Sequence, residues 1–169
     1  MHALGEYHLG KDEIDEFVEF WKEIGEVIVG KQYRGHDYLT IVLKRLNLGS
    51  EERDLENKLI DFFVAFEALF LLEASELSYR LALRTATLLG DSYQERREIT
   101  NFMRDAYVLR SQIVHGKTPR LKKKTIDLKE YVPRLENYLR HSIVKYFKMI
   151  RQFKDQTAIL RYLDQEILK

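Results

Sequence analysis

The chain of 169 residues contains no cysteine and only two prolines. Disulfides, thiolate zinc sites and cysteine nucleophiles are therefore excluded, and a fold held by packing alone fits a reducing compartment. The most apolar window, residues 62–72, carries Glu67 in its middle and is too short and too polar to cross a bilayer. The N-terminus lacks a basic segment followed by an apolar run, so no signal peptide is predicted. We expect a cytoplasmic protein that does not associate with membranes.

Several sequence motifs of enzymes are also missing. The chain has no His-Glu-x-x-His, no paired metal-ligand spacing, no glycine-rich phosphate loop and no Gly-x-Ser-x-Gly elbow. We therefore expect neither a metal nor a cofactor. The net charge of +1 does not mark a dedicated nucleic-acid binder, so any affinity for RNA has to come from a local basic patch.

What the sequence does contain is apolar residues at helical spacing along most of its length. Because no convincing strand alternation accompanies it, we predict an all-α fold, a single-domain antiparallel bundle of about six or seven helices. The predicted helices cover about residues 12–29, 36–47, 51–73, 75–90, 93–115, 133–153 and 157–168.

The predicted organisation has three parts. Residues 1–35 form an N-terminal helical extension, with Ile14 and Val18 in its buried stripe. Residues 36–153 form the bundle, and residues 154–169 form a C-terminal helix packed on the bundle or on a partner.

Local signals place several of the helix boundaries. Gly49 is predicted to close one helix and Ser50 to cap the next. Ser92 and Glu95 form a capping box that starts the helix of residues 93–115, and Pro133 marks the first turn of the long helix that follows.

An arginine and a histidine occur near the end of the predicted helix 93–115. Gly116 is expected to end this helix, because glycine takes the left-handed conformation most cheaply, and His115 then lies in its last turn. Arg110 lies five residues earlier, so the two side chains point roughly 140° apart on an ideal helix. A symmetric dimer is the natural way to bring these groups to one ligand, since a twofold axis beside the motif would gather two Arg110 and two His115 side chains.

The string Arg110-Ser-Gln-Ile-Val-His115 resembles the R-x4-6-H motif of the HEPN superfamily of all-helical RNA-directed nucleases. With the segments 59–70, 77–84 and 107–116, the chain is similar to the ApeA-like branch of that superfamily over about residues 38–150. The resemblance implies a HEPN-like bundle that cleaves RNA without metal and leaves 2′,3′-cyclic phosphate and 5′-hydroxyl ends.

Other residues qualify as rivals or partners of this motif. Arg134 and His141 also satisfy the loose spacing, but they lack the adjacent helix stop, and His141 is expected to be an ordinary packed or solvent-facing side chain. Ser111 stands where active members of the superfamily often carry Asn, Asp or His.

Glu67 is a carboxylate in the most apolar helix, where an unpaired charge would be costly to bury. We expect it to pair structurally with Arg80 or Arg84. The functional alternative is that it orients Arg110.

A run without acidic residues follows the motif. It carries five cations, which the functional interpretation treats as a phosphate-binding rim and the alternative as an ordinary solvated loop. These residues are Lys117, Arg120, Lys122, Lys123 and Lys124.

The available chemistry suits one reaction. Histidine moves protons near neutral pH and a guanidinium grips two phosphate oxygens, which fits His115 as general acid/base, Arg110 as phosphate clamp and Ser111 as a polar supporter. We therefore expect a metal-independent endoribonuclease with a composite dimer site. The alternative is a non-catalytic HEPN-like dimerisation or RNA-binding module, favoured by Ser111 and the modest net charge. A toxin–antitoxin or defence role with an antitoxin or nucleotidyltransferase partner is a third option that no residue tests.

Overall fold

A computed structural model describes residues 36–73, 75–122 and 124–167, together with Ile14, Val18 and Lys22. The chain divides into two compact units, Met1–Arg34 and Gly35–Lys169. Ile14, Val18 and Lys22 are helical, and Ile14 and Val18 are 42% and 41% exposed, so the prediction that these two lie in a buried stripe is wrong. The rest of the predicted helix 12–29 lies outside the described residues.

The second unit is an all-α bundle, as predicted, with one small hairpin that the sequence did not predict. Its helices and strands, in chain order, are α1 (Tyr38–Glu51), α2 (Leu55–Phe70), α3 (Leu77–Leu89), α4 (Tyr93–Val114), β1 (Arg120–Leu121), β2 (Lys124–Thr125), α5 (Leu128–Met149) and α6 (Gln156–Glu166). β1 and β2 pair antiparallel, with Arg120 opposite Thr125. Within the described part of the chain, no helix is both long and apolar enough to cross a membrane.

α2 lies at the centre of the core. It carries many buried apolar side chains, and α1, α3, α4 and α5 all contact it. The side chains of α2 that solvent does not reach are Leu59, Phe62, Phe63, Ala65, Phe66, Leu69 and Phe70. Asp54 caps its first turn by accepting a hydrogen bond from the Asn57 backbone N–H at 2.9 Å.

Two helix starts differ from the prediction. Ser50 does not cap α2, because α1 continues through Gly49 and Ser50 to Glu51. Pro133 is not in the first turn of α5 either: Asp127 caps that helix by accepting from the Lys129 N–H, and Pro133 is its sixth residue, on an exposed position.

α6 packs against α3, and one buried cation joins them. The Arg84 side chain is only 1% exposed and donates to Asp164 at 2.7 and 2.8 Å and to Glu73 at 2.8 and 3.0 Å. It also donates to the Phe70 carbonyl at 2.6 Å. The hydrogen bonds from Arg84 lower the pKa of Glu73 to about 2. A single guanidinium therefore connects the end of α2, α3 and α6.

Candidate functional site at the end of the fourth helix

The helix that carries the motif begins and ends as the sequence predicts. At its start, the Ser92 side chain accepts from the Glu95 N–H and the Glu95 carboxylate accepts from the Ser92 N–H, which is a complete capping box. At its end, Gly116 adopts φ +67°, and the Gly116 and Lys117 N–H groups bond to the carbonyls of Ile113 and Gln112. These two bonds form a Schellman motif, which fixes the chain just beyond the helix.

His115 is the C-cap residue of α4 and its side chain is exposed. Its backbone N–H donates to the carbonyls of Ser111 and Gln112, both at 3.2 Å. The imidazole is consequently presented to solvent on a main chain that the helix end holds in place.

Arg110 lies on the same helix but in a different environment. Its side chain is 24% exposed, and one Nη atom lies 3.4 Å from both carboxylate oxygens of Glu67 on α2. Its Nε is buried without a hydrogen-bond partner among the described residues. Since bonds between arginine and a carboxylate are typically about 2.7–2.9 Å, this contact is long and leaves the guanidinium with donors to spare.

Glu67 thus contacts Arg110, and the predicted pairing with Arg80 or Arg84 is wrong. Arg84 is fully occupied by Glu73 and Asp164, and Arg80 lies beside Glu73 and Glu76. Sequence spacing could not distinguish these partners, because all of them require knowledge of how the helices pack. Burial raises the pKa of Glu67, and the nearby Arg110 opposes that shift.

Tyr107 completes this cluster; the sequence analysis placed it in the segment 107–116 that carries the resemblance but predicted no contact with Arg110. Its ring lies 5.8 Å from the Arg110 guanidinium carbon and meets the Phe63 ring edge to face at 5.6 Å. Burial, and then the charge of Glu67, raise the pKa of its hydroxyl. The spacing of three residues between Tyr107 and Arg110 was a usable signal, since such residues are neighbours on one helix face.

Gln112 is a second residue that the sequence interpretation missed. Its side-chain amide donates to the Arg120 carbonyl at 3.0 Å and accepts from the Arg120 N–H at 2.7 Å. No sequence pattern predicts this contact, because Gln112 bonds to the backbone of Arg120, which follows the end of the helix and a short loop.

The basic residues after the motif follow the end of α4, and the main chain of Lys117 and Arg120 contacts Gln112 of that helix. The described cations are all exposed, and Lys123 lies outside the described residues. The exposed cations are Lys117, Arg120, Lys122 and Lys124. Arg120 and Lys124 lie in the two strands of the small hairpin, which the sequence did not predict, Lys122 lies in its turn, and Lys117 precedes it.

The rival motif has different surroundings. Arg134 donates to the Tyr138 hydroxyl at 2.8 and 3.1 Å, and its guanidinium lies 4.6 Å from the centre of the Phe102 ring. His141 is exposed and its Nδ1 lies 3.0 Å from the Asn137 carbonyl. Arg134 is therefore held against an aromatic cluster on the α4–α5 face, away from the helix stop at Gly116.

His115 is exposed, whereas Arg110 and Ser111 are half-buried on the same helix. Three cavities of about 290, 380 and 450 Å³ are lined by parts of α3 to α6, but by none of Glu67, Arg110, Ser111 and His115. Among the described residues, no cluster of three or more His, Asp or Glu side chains is arranged to hold a metal ion. A site built on Arg110 and His115 would thus need a second surface to enclose a substrate.

No family model, no curated protein and no solved structure matches this chain.

Proposed function

We propose that this protein is a metal-independent endoribonuclease of the HEPN type, acting in the cytoplasm, in which Arg110 binds the scissile phosphate and His115 transfers protons. The observation that carries the proposal is the end of α4. There an exposed histidine, an arginine with unused donors and a rim of exposed cations occur together.

The reaction needs three contributions. A base removes the proton of a ribose 2′-hydroxyl, and the oxygen attacks the adjacent phosphorus. A cation stabilises the charge that builds on the phosphoryl oxygens, and an acid protonates the departing 5′-oxygen. His115 suits the proton transfers, and the Arg110 guanidinium suits the phosphate because its planar donors match two oxygens. The products are a 2′,3′-cyclic phosphate and a 5′-hydroxyl.

One copy of His115 cannot be base and acid in the same step, so the proposal includes a homodimer. Arg110 and His115 point in different directions on α4, and a second copy across a twofold axis would supply the missing partner. α4 also exposes Val108 and Val114, which are 44% and 50% exposed and lie beside the motif. Two apolar side chains at this place fit a contact between two copies of α4.

Two further residues support the clamp. Glu67 holds Arg110 loosely, so a phosphate can replace the carboxylate as the partner of the guanidinium. Ser111 is half-buried next to Arg110 and supplies a hydroxyl at the position where the resemblance expects a polar residue. A toxin–antitoxin or defence role, with an antitoxin or nucleotidyltransferase partner, extends the proposal by resemblance alone.

The test is cleavage of end-labelled single-stranded RNA in EDTA by the purified wild type. Arg110→Ala and His115→Ala are the test variants, and the matched controls are Arg104→Ala, an exposed arginine of α4, and His141→Ala, an exposed histidine of α5. We expect the test variants to lose at least about 100-fold in rate, the low end for a general acid/base, and the controls to cleave like the wild type. Equal cleavage in all samples would reject the proposal, and cleavage that requires added metal would reject the mechanism.

A non-catalytic dimerisation or RNA-binding module is the second candidate. The contact between Arg110 and Glu67 favours it, because a guanidinium paired with a carboxylate of its own chain is already neutralised. This reading predicts a dimer that binds RNA without cutting it. Binding and cleavage measured on the same sample separate the two functions.

A further inference from the structure

The basic hairpin after α4 is too small to hold itself in place. Each strand has two residues, and an isolated two-stranded hairpin is at best marginally stable in water. Within it, the Ile126 N–H donates to the Pro119 carbonyl at 3.2 Å, and the Pro119 side chain is buried. Other contacts must therefore fix where the hairpin lies relative to α4.

Gln112 makes three of those contacts, two with its side chain and one with its backbone carbonyl. Its side-chain N–H donates to the Arg120 carbonyl, and its side-chain carbonyl accepts from the Arg120 N–H. A neighbouring strand would make the same pair of hydrogen bonds. The backbone carbonyl of Gln112 accepts the Lys117 N–H at 2.8 Å. One residue of the motif helix thus holds the main chain of the two cations that flank the start of the hairpin.

The charge of residues 106–126 indicates what the contact between Gln112 and Arg120 is for. Between residues 106 and 126 the sequence has no Asp or Glu, and the nearest later acid, Asp127, is used to cap α5. The four described cations here are all exposed, so a bound anion can reach each of them. A polyphosphate backbone is the anion that matches several cations close together in the sequence.

We propose that Gln112 is a positioning residue that holds the basic hairpin as a preformed phosphate-binding rim, so that an RNA strand bound there passes the end of α4. The inference rests on the proposed function for RNA as the ligand. Gln112 itself touches neither the substrate nor the reacting atoms. The effect of its side chain is to remove the cost of ordering the Arg120 main chain when the strand binds.

The first measurement is binding of a fluorescent single-stranded 20-nucleotide RNA to protein carrying His115→Ala, which prevents turnover. In that background we compare Gln112→Met, which keeps the length of the side chain and removes both hydrogen bonds, with Gln112→Ala. The control is Gln94→Ala, an exposed glutamine in the first turn of the same helix. We expect both Gln112 variants to bind about tenfold more weakly and the control to bind like its parent.

The second measurement asks whether Gln112 acts through the cations. The double substitution Lys117→Ala with Arg120→Ala is expected to reduce the salt slope of binding by about 1.4, or 0.7 for each lost phosphate contact. If the Gln112 side chain acts by ordering the Arg120 segment, the double substitution weakens binding less in the Gln112→Met protein than in its parent. Faster hydrogen exchange of the Arg120 amide in Gln112→Met gives an independent structural readout.

Unchanged RNA affinity and unchanged Arg120 exchange in Gln112→Met would overturn the inference, and so would fully additive effects of the substitutions. Absence of RNA binding by the parent protein would overturn it as well. Weakened binding of RNA that the wild type does not cleave would support the rim while removing the nuclease, so the two proposals fail separately.

Discussion

At Gly116 the chain takes a left-handed backbone conformation that ends α4 just after the motif. A Cβ atom placed there would meet nothing within 4 Å, so the position needs glycine for its backbone and not for space. We predict that Gly116→Ala lowers the free energy of unfolding by about 1 kcal/mol, the cost of a left-handed non-glycine residue.

Urea denaturation measures this cost, with Asn101→Ala on the exposed side of α4 as the control. RNA cleavage should fall in parallel, because His115 depends on the same turn for its place. A Gly116→Ala protein as stable as the wild type would show that the turn does not constrain the end of the helix.

A second prediction for a single side chain concerns the pH dependence of the stability that Glu67 contributes. Because burial raises its pKa above the unfolded value, its contribution to stability is complete below the unfolded pKa and is lost as the pH rises through the folded pKa. The stability of the wild type minus that of Glu67→Gln should therefore decrease as the pH rises above the unfolded pKa of about 4.5.

Urea denaturation at several pH values gives this difference, in which all other titrating groups cancel to first order. Glu98→Gln, an exposed carboxylate of α4, is the control. A difference that rises with pH would mean that the attraction of Arg110 outweighs the burial of the carboxylate.

Among the helices, those with strong local signals were predicted best. The capping box at Ser92 and Glu95 and the stop at Gly116 define α4, and Gly90 ends α3 as expected. The starts of α2 and α5 were misplaced. Ser50 and Pro133 are good helix-start residues in isolation, but Asp54 and Asp127 make the actual caps.

The sequence did not decide the contacts between elements: the partner of Glu67 was left between Arg110 and Arg80 or Arg84, and the contact of Gln112 with Arg120 was missed. The pairing of Glu67 with Arg110 and the tie from Gln112 to Arg120 depend on how α2 and the hairpin pack against α4. Neither contact leaves a periodic trace along the chain. The residue types of the candidate site were thus predictable, whereas most of its partners were not.

Gly49 shows why the boundary between α1 and α2 was misread. It is buried inside α1, and a Cβ atom there would lie 2.6 Å from a carbon of the Phe62 ring. Glycine is present because α1 and α2 approach closely, and not because the helix ends. We predict that Gly49→Ala destabilises the fold by about 1–3 kcal/mol, since overpacking against a buried ring outweighs the gain of about 1 kcal/mol in helix propensity.

Thermal and urea unfolding test this, with Thr40→Ala on the exposed side of α1 as the control. A stabilised Gly49→Ala protein would mean that propensity decides at this position and that the ring moves aside freely.

At the scale of the whole molecule, the proposed function requires two copies of the chain to assemble through α4. A dimer that buries Val108 should be weakened by a charge at that place, so we predict that Val108→Glu shifts the protein towards monomer and lowers RNA cleavage to the same extent. Leu72→Glu places the same charge on an exposed apolar residue after α2 and is the matched control.

Light scattering over a range of concentrations measures the mass. A wild-type monomer at all concentrations, or a Val108→Glu dimer with full activity, would exclude the composite site.

The claim on which everything else depends is that the end of α4 uses a ribose 2′-hydroxyl to break an RNA strand without metal. The most direct measurement uses an end-labelled oligonucleotide that carries one ribonucleotide in a chain of deoxynucleotides, incubated in EDTA with the wild type and with His115→Ala. If the 2′-hydroxyl is the nucleophile and His115 transfers the protons, the wild type makes a single cut directly after the ribonucleotide and leaves a 2′,3′-cyclic phosphate on one fragment. The variant makes no cut. No cut by the wild type, cuts at deoxynucleotides, or equal cleavage by His115→Ala would contradict it.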